Sequence, residues 1–129
     1  MVPFVLPAGS NRLFVHVSAL APHTRDMHRH PRVSLLVMAE LGAGVSAQAL
    51  PRVALAADAR FLAPDDADSA AEHAAARSAY LARFPDAATT FELGDFSLVA
   101  LQPVAARLVA GFGRAHALVG TALEDWLRG

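Results

Sequence analysis

The segment Pro51–Ala63 constrains the fold more than any other part of the chain, because its side chains alternate with a period of two. Successive side chains of a β-strand point to opposite faces of a sheet, so this pattern predicts an antiparallel strand with one face on a core and the other half exposed. The apolar series is Val53, Leu55, Ala57, Ala59 and Phe61, and the alternating series is Arg52, Ala54, Ala56, Asp58 and Arg60.

Short apolar segments bounded by turn residues predict further strands. The predicted strands are Phe4–Leu6, Arg12–Ser18, Arg32–Ala39, Phe91–Leu93, Phe96–Gln102 and Ala105–Ala110, with turns at Gly94-Asp95, at Pro103 and at Gly111-Phe112-Gly113. Arg32–Ala39 is almost continuously apolar, which predicts that both of its faces are covered. Predicted helices span Pro22–His30, about Asp66 to Phe84, and Thr121–Arg128. Strands with short connections favour antiparallel pairing, so we expect a closed or nearly closed barrel with helices outside.

Composition narrows the chemistry that the chain can perform. Its 129 residues are 54% hydrophobic, enough for one domain with a core. Cysteine is absent, and all 11 basic residues are arginine, which excludes thiol catalysis and Schiff-base formation by a lysine. The net charge of −1 gives no general attraction to nucleic acid, and no apolar run is long enough to span a membrane. No basic leader precedes the first strand, so we expect a cytoplasmic protein.

The polar segment that follows Ser18 is the strongest candidate for a binding site. It presents His23, Thr24 and Arg25 where a strand leads into a helix. A helix start offers unpaired backbone N–H groups and the positive end of the helix dipole, and both favour a phosphate. An ordinary exposed turn explains the same residues, and the segment alone does not decide between these interpretations.

Other groups of polar residues do not form a known catalytic pattern. His23, His28 and His30 lack the i, i+4 spacing that places two metal ligands on one helix face, so we predict a solvated turn and no metal site. Ser97 and Thr121 have no histidine and aspartate nearby in a nucleophile pattern. We therefore assign no catalytic residue from the sequence.

Four segments in order resemble the FMN-binding split-barrel superfamily of pyridoxamine 5′-phosphate oxidase, and in particular its haem-utilisation-type branch. The first is LFVHVSALAPHTRDMHRHPRVSLLV, followed by ALPRV from Ala49 and by YLARFP from Tyr80. The last is DFSL from Asp95 together with GFGRA from Gly111. The chain departs from the pattern at Asp26, where the branch usually has Asn, and at His30, where it usually has Asp.

The resemblance implies a mainly β, α+β fold: an antiparallel six-stranded split β-barrel with flanking helices. It implies a homodimer that holds FMN at the subunit interface, where Ser18, His23, Thr24 and Arg25 meet the phosphate and Arg52 reaches the flavin region. The loop from Gly111 to Arg114 borders that pocket. Residues 1–129 correspond to a single FMN-binding split-barrel domain that starts after the first helix and strand of its relatives.

Two functions are consistent with this resemblance. The first is a flavin-dependent oxidoreductase of the pyridoxamine 5′-phosphate oxidase-like type, in which the flavin supplies the chemistry and the protein anchors it. The alternative is a non-catalytic dimeric split-barrel module that has lost flavin, or that binds haem or another planar ligand. Neither function involves nucleic acid or a membrane.

Overall fold

The computed structural model describes residues 1–111 and 113–129. The described residues form six strands and four α-helices in one α+β fold that is mainly β. The elements are β1 (Phe4–Val5), β2 (Leu13–Ser18), α1 (Pro22–Arg29), β3 (Arg32–Met38), β4 (Arg52–Leu62), α2 (Ala70–Arg83), α3 (Ala88–Phe91), β5 (Phe96–Gly111), β6 (Arg114–Val119) and α4 (Gly120–Arg128). One-turn 3-10 helices lie at Ala47–Ala49 and Pro85–Ala87.

All six strands belong to one antiparallel sheet with the order β1-β2-β5-β4-β3, and β6 also pairs with β5. The first half of β5 pairs with β2, from Phe96 to Leu101, and its second half pairs with β6, from Ala105 to Gly111. β4 runs along the other side of both halves. This arrangement is the predicted six-stranded split barrel with flanking helices.

The two strands predicted on either side of Pro103 form the single 16-residue strand β5. Proline has no N–H group for a strand ladder and is tolerated at a bulge. Ala57 pairs with Pro103 while Ala56 pairs with Ala105, so Val104 is the extra residue of a bulge. Because the bulge falls where β5 changes its partner from β2 to β6, Pro103 does not end the strand.

Three further predictions about single elements are wrong. Phe91 ends α3 instead of starting a strand, because a helical turn follows Pro85 and the Thr90 hydroxyl donates a hydrogen bond to the Ala87 carbonyl at 2.8 Å. The residue pattern predicts no strand where β6 lies, since its Ala and His residues carry little apolar signal, although GFGRA at its start is one of the segments that carry the resemblance. α2 begins at Ala70 and not near Asp66, because the Asp66 side chain accepts a bond from the Asp68 amide and holds a turn there.

The predicted coverage of both faces of β3 is also wrong for the single chain. Its residues alternate between half-buried and exposed, with Leu36 58% and Met38 55% exposed. β3 pairs on one side only, with β4, and its outer face is not covered by any described element. A sheet face that is apolar and uncovered in this way is typical of an interaction surface.

The core consists of two clusters that lie on opposite faces of β2 and β5. The barrel cluster packs inside the sheet and is closed by Leu123 and Leu127 of α4, whereas Trp126 of that helix stays 42% exposed. The helix-side cluster packs between the sheet and α2, which contributes Ala76 and Tyr80. The strands divide their residues by alternation: Val15, Val99 and Leu101 face the barrel, whereas Phe14, Leu98 and Ala100 face α2.

An ionic network fixes the start of α2 to the sheet. The Glu72 carboxylate accepts a hydrogen bond from Arg12 at 2.7 Å and another from Arg60. Burial alone raises the pKa of Glu72, but the hydrogen bonds and positive charges of Arg12 and Arg60 outweigh burial and lower it. Arg12, the residue before β2, also donates to the Gln102 side chain of β5 at 2.8 Å, so this network joins β4, β5 and the start of β2 to the helix.

Candidate functional site

A cavity of about 350 Å³ opens where the sheet is split, between β2, α1 and β3. We call it the barrel cavity. Its inner walls are apolar, and its mouth carries imidazole, carboxylate and guanidinium groups, an arrangement that suits a ligand with an apolar body and polar edges. The lining residues are Val2, Val15, Val17, His23, Asp26, Met27, His30, Arg32, Val33, Ser34, Leu35 and Leu101.

The short helix α1 supplies most of the polar mouth. Met27 and Thr24 are buried and hold the helix against the sheet, so its other side chains point outward. The Thr24 hydroxyl donates a 2.6 Å hydrogen bond to the Ser18 carbonyl, which ties the helix start to the end of β2. At the other end, the ring of His28 stacks on Phe61 of β4, with ring centroids 3.7 Å apart.

The exposed residues of α1 are mostly basic: His23, Arg25, His28 and Arg29, with the acidic Asp26 among them, and His30 follows directly. His23 and Asp26 lie on the cavity side, whereas Arg25 and Arg29 lie on another side of the helix. Within the described residues, neither Arg25 nor Arg29 forms a salt bridge. Arg32 at the rim of the cavity differs, since its guanidinium donates to both carboxylate oxygens of Asp58, at 2.6 and 3.3 Å.

The four predicted phosphate-binding residues lie together at the junction of β2 and α1, but the hydroxyls of two of them already form hydrogen bonds within the chain. The Ser18 hydroxyl accepts a hydrogen bond from the Leu20 amide at 3.1 Å and lies 3.5 Å from an Asp95 carboxylate oxygen. A carboxylate at this position repels a phosphate. Thr24 uses its hydroxyl hydrogen within the chain, whereas His23 and Arg25 are exposed.

The start of α1 offers few backbone donors for an anion. Pro22, the first helical residue, has no N–H group, and the Thr24 amide already donates to the Ala21 carbonyl at 3.1 Å. Phosphate binding at helix starts depends on free N–H groups. An anion here would therefore depend mainly on the side chains of His23 and Arg25.

Arg52 is not brought near these residues within one chain. It pairs with Met38 at the far end of β3, six residues from Arg32, which at the rise of a strand is about 20 Å. Its guanidinium donates to the carbonyls of Gln48 and Leu50, at 3.3 and 3.2 Å. The predicted loop Gly111–Arg114 lies at the same end of the sheet, and its Phe112 is outside the described residues.

A second, larger cavity of about 570 Å³ lies on the opposite face of β2, between the sheet, α2 and α3. We call it the helix-side cavity. Its polar residues include His16, His73 and Arg77, none of which the sequence analysis singled out. The available signal was the alternation of β2, which places His16 on the face opposite Val15 and Val17. The groups that contact His16 come from residues 80–96 and could not be inferred locally.

The described part of the chain contains no group of three or more histidine, cysteine, aspartate or glutamate side chains placed to hold a metal ion. The same part contains no helix that is both long and apolar enough to cross a membrane.

The chain is similar to a heme oxygenase in sequence and to a heme binding protein in structure. No protein-family model matches the chain. The chain is 34% identical over 115 residues to the chloroplastic non-canonical heme oxygenase HOZ of Arabidopsis thaliana, which covers 89% of this chain and 32% of the plant protein. The chain therefore spans about a third of the length of this curated relative.

Solved structures agree on the fold. A heme binding protein from Mycobacterium smegmatis superposes with a TM-score of 0.75 and 32% identity, over 88% of this chain and 44% of that protein. ChuZ from Campylobacter jejuni superposes with a TM-score of 0.77 and 18% identity, over 94% of this chain and 48% of that protein. The chain thus has the split-barrel fold of a haem-binding protein that shares about a third of its aligned residues.

Proposed function

We propose that this chain is a haem-binding split-barrel domain that receives the porphyrin edge at the barrel cavity. The observation that carries the proposal is the chemistry of that cavity, whose apolar walls meet two imidazoles and one carboxylate at the mouth, with Arg25 and Arg29 exposed elsewhere on α1. The names of the plant relative and the mycobacterial structure support the same ligand. This function corresponds to the alternative of a module for haem or another planar ligand.

The residues at the cavity fit the chemical parts of haem. Val15, Val17 and Leu35 offer apolar surface to the macrocycle. His23 and His30 are imidazoles that can ligate iron, while Arg25 and Arg29 can pair with the two propionate carboxylates. Bound haem would supply redox and oxygen chemistry, and the role proposed for the chain is to bind and orient it.

A homodimer completes this site. The barrel cavity of about 350 Å³ is at the small end of ligand pockets, so a porphyrin must also contact surface outside it. The outer sheet face offers Leu36, Met38 and Val119, which are 58%, 55% and 64% exposed. We propose that a second copy packs on this face and that its surface covers the ligand.

FMN is the second candidate. His23 and Arg25 on the exposed start of α1 favour it, since they can contact a phosphate. The Asp95 carboxylate beside Ser18 and the engaged Thr24 hydroxyl count against a phosphate at this junction. The two ligands are distinguished by direct competition.

The test is titration of the purified protein with haemin and, separately, with FMN. We expect a saturable Soret band for haemin, with affinity at least tenfold tighter than for FMN. The variant His23→Ala combined with His30→Ala should shift the Soret maximum and weaken haemin binding at least tenfold. His116→Ala, on β6 and away from the cavity, is the matched control and should behave like the wild type. Saturable FMN binding without a haemin complex would reverse the assignment.

The dimer is tested separately by sedimentation. The double variant Leu36→Glu, Met38→Glu should be monomeric and should bind haemin more weakly. Leu20→Glu, at a residue 81% exposed elsewhere on the surface, should leave both properties unchanged. A wild-type protein that sediments as a monomer at micromolar concentration would contradict the shared site.

A further inference from the structure

The helix-side cavity is separate from the proposed haem site, because the two cavities lie on opposite faces of the sheet. Val15 and Val17 of β2 face the barrel cavity, whereas His16 between them faces the helix-side cavity. The helix-side cavity has apolar walls from Leu62, Phe91 and Phe96. Its volume of about 570 Å³ lies within the range of sites for small organic ligands.

His16 is a buried polar side chain held at the wall of this cavity. It is only 9% exposed, and its ring stacks on Phe91 with centroids 3.8 Å apart and planes 10° apart. Tyr80 contacts the same ring edge-on, with centroids 5.7 Å apart. These contacts fix the orientation of the imidazole.

The hydrogen bonds of Thr90 determine which nitrogen of His16 carries the proton. The Thr90 hydroxyl donates its one hydrogen to the Ala87 carbonyl at 2.8 Å, so it can only accept from Nδ1 of His16, 3.3 Å away. Assigning the Thr90 hydrogen to the shorter contact places the proton on Nδ1 of His16 and leaves a lone pair on Nε2. Among the described residues, Nε2 of His16 has no hydrogen-bond partner. No fully buried side-chain nitrogen or oxygen in that part of the chain lacks a partner, so Nε2 is accessible from the cavity that His16 lines.

The charges around His16 determine which ligands suit that lone pair. Burial and the neighbouring His73 lower the pKa of His16 to about 4, so the imidazole is neutral at pH 7. Burial and Arg77 also lower the pKa of His73, and burial raises the pKa of Tyr80, so neither residue is charged there. No carboxylate lines the cavity, and Arg77 is its one charged group among the described residues. Arg77 disfavours a metal cation and favours an anion.

We infer that the helix-side cavity binds a small planar organic anion that also carries an O–H or N–H donor. The donor bonds to Nε2 of His16, and the anionic group pairs with Arg77, whose guanidinium lies over the Phe91 ring, 5.3 Å from its centroid. Because His16 and Arg77 occupy the faces of Phe91, the ligand ring contacts Phe96 and the edge of Phe91. A carboxylate directed at the Nε2 lone pair would be repelled, so the ligand needs both groups. Ser78 and Ser97 add hydroxyls at the wall.

The probe for this site is 4-hydroxybenzoate, with binding followed by calorimetry and by amide chemical shifts at pH 7.5. We expect saturable binding with shifts concentrated on β2, α2 and α3. Two matched compounds separate the contributions: 4-methoxybenzoate lacks the donor and 4-hydroxybenzyl alcohol lacks the anion. Each should bind at least tenfold more weakly. No saturation by 4-hydroxybenzoate at millimolar concentration, or equal binding of all three compounds, would overturn the inference.

Variants test the two side chains. His16→Phe keeps an aromatic ring against Phe91 and removes Nε2, and Arg77→Gln removes the charge. Each should weaken binding of 4-hydroxybenzoate about tenfold, whereas Arg83→Gln on the same helix should not. Unchanged binding by folded His16→Phe contradicts the assignment. If that variant does not fold, ¹⁵N spectra of wild-type His16 replace it: a proton on Nδ1 and a ligand-dependent Nε2 shift are expected, and a proton on Nε2 would overturn the inference.

Discussion

The two faces of β2 show how one strand can build two different environments from alternate residues. On one face, Val15 and Val17 line an apolar cavity whose polar groups are all at the mouth. On the other face, His16 places a polar atom inside a cavity between aromatic rings. The barrel cavity can therefore hold a largely apolar ligand with charges at its edge, whereas the helix-side cavity selects by an internal hydrogen bond.

The largest expected effects come from truncating the core on each face of β5. Leu98 faces α2 and is 1% exposed, and Leu101 faces the barrel and is 3% exposed. Leu98→Ala and Leu101→Ala should each lower the free energy of unfolding by about 2–5 kcal/mol, measured by urea denaturation. The double variant should lose nearly the sum if the faces are independent. A loss below about 1 kcal/mol for either single variant would mean that its cluster is loosely packed.

The second prediction concerns the loss of stability at low pH. It distinguishes the helix-side face of β2, which buries His16, from the barrel face, which buries Val15 and Val17. The pKa of His16 is about 4 in the fold and 6.5 in the unfolded chain. Below pH 6.5 the unfolded chain therefore binds a proton that the folded chain does not, and stability falls as the pH drops towards 4. The difference in pKa sets an upper limit of about 3 kcal/mol on this loss, and screening by solvent reduces it.

His16→Phe is the control for this acid dependence. The variant should lack the part of the pH dependence of the unfolding free energy that comes from His16. The part that comes from the carboxylates should remain. Denaturation curves at pH 7, 6, 5 and 4 measure the difference between the two proteins. Parallel curves for the wild type and the variant would show that His16 keeps an ordinary pKa.

Thr24 and Thr90 each donate one side-chain hydrogen bond, one on each side of the sheet, so replacing them compares the two sides. Thr24 donates to the Ser18 carbonyl on the barrel side, and Thr90 donates to the Ala87 carbonyl on the helix side. Replacement of either by Val should cost about 1 kcal/mol, and replacement by Ser should restore most of it. Thr90→Val should also change the ¹⁵N tautomer signal of His16, and Thr24→Val should not. Equal effects on His16 would refute the proposed hydrogen-bond direction.

The smallest expected effect is at the ionic network of α2. Glu72→Gln should cost less than about 1 kcal/mol at pH 7, because the Arg12 and Arg60 side chains are about half exposed and solvent screens the pairs. The folded pKa of Glu72 is lowered, so its contribution is present above its unfolded pKa and is lost as the pH falls through the lower folded value. Thermal melts at low and high salt measure it, and a loss that salt does not reduce would argue against an ionic origin.

Much of the fold could be predicted from local patterns. The strand bounds of β2, β3 and β4 agree with prediction to within one or two residues, because turn residues and prolines flank them. β6 and α3 could not be predicted, since β6 is formed by pairing with β5 and α3 by packing of Phe91 on His16. The contact of Phe91 with His16 joins residues far apart in the chain, about which local sequence carries no information. β6 lies next to β5 in the chain, but its own residues carry little apolar signal.

The candidate site was predictable to a smaller extent. The sequence places Ser18, His23, Thr24 and Arg25 close together, and in the structure they lie at the junction of β2 and α1. Their role in binding a cofactor stays a prediction. The distance of Arg52 from them follows from strand register, which no single segment encodes. His16 was missed because its Nδ1 contact, Thr90, lies 74 residues away in the chain.

The two pairings of β5, with β6 and with β4, have a consequence for the order of folding. The second half of β5 pairs with β6, and Gly111 lies opposite Arg114, so only two residues of chain separate the paired ends. The pairing of β5 with β4 closes a longer loop, because α2 and α3 lie between these strands in the chain. Closing this loop costs more chain entropy than closing the β5–β6 hairpin. The hairpin can therefore form early, and the long β4–β5 ladder is expected to set the rate at which the barrel appears.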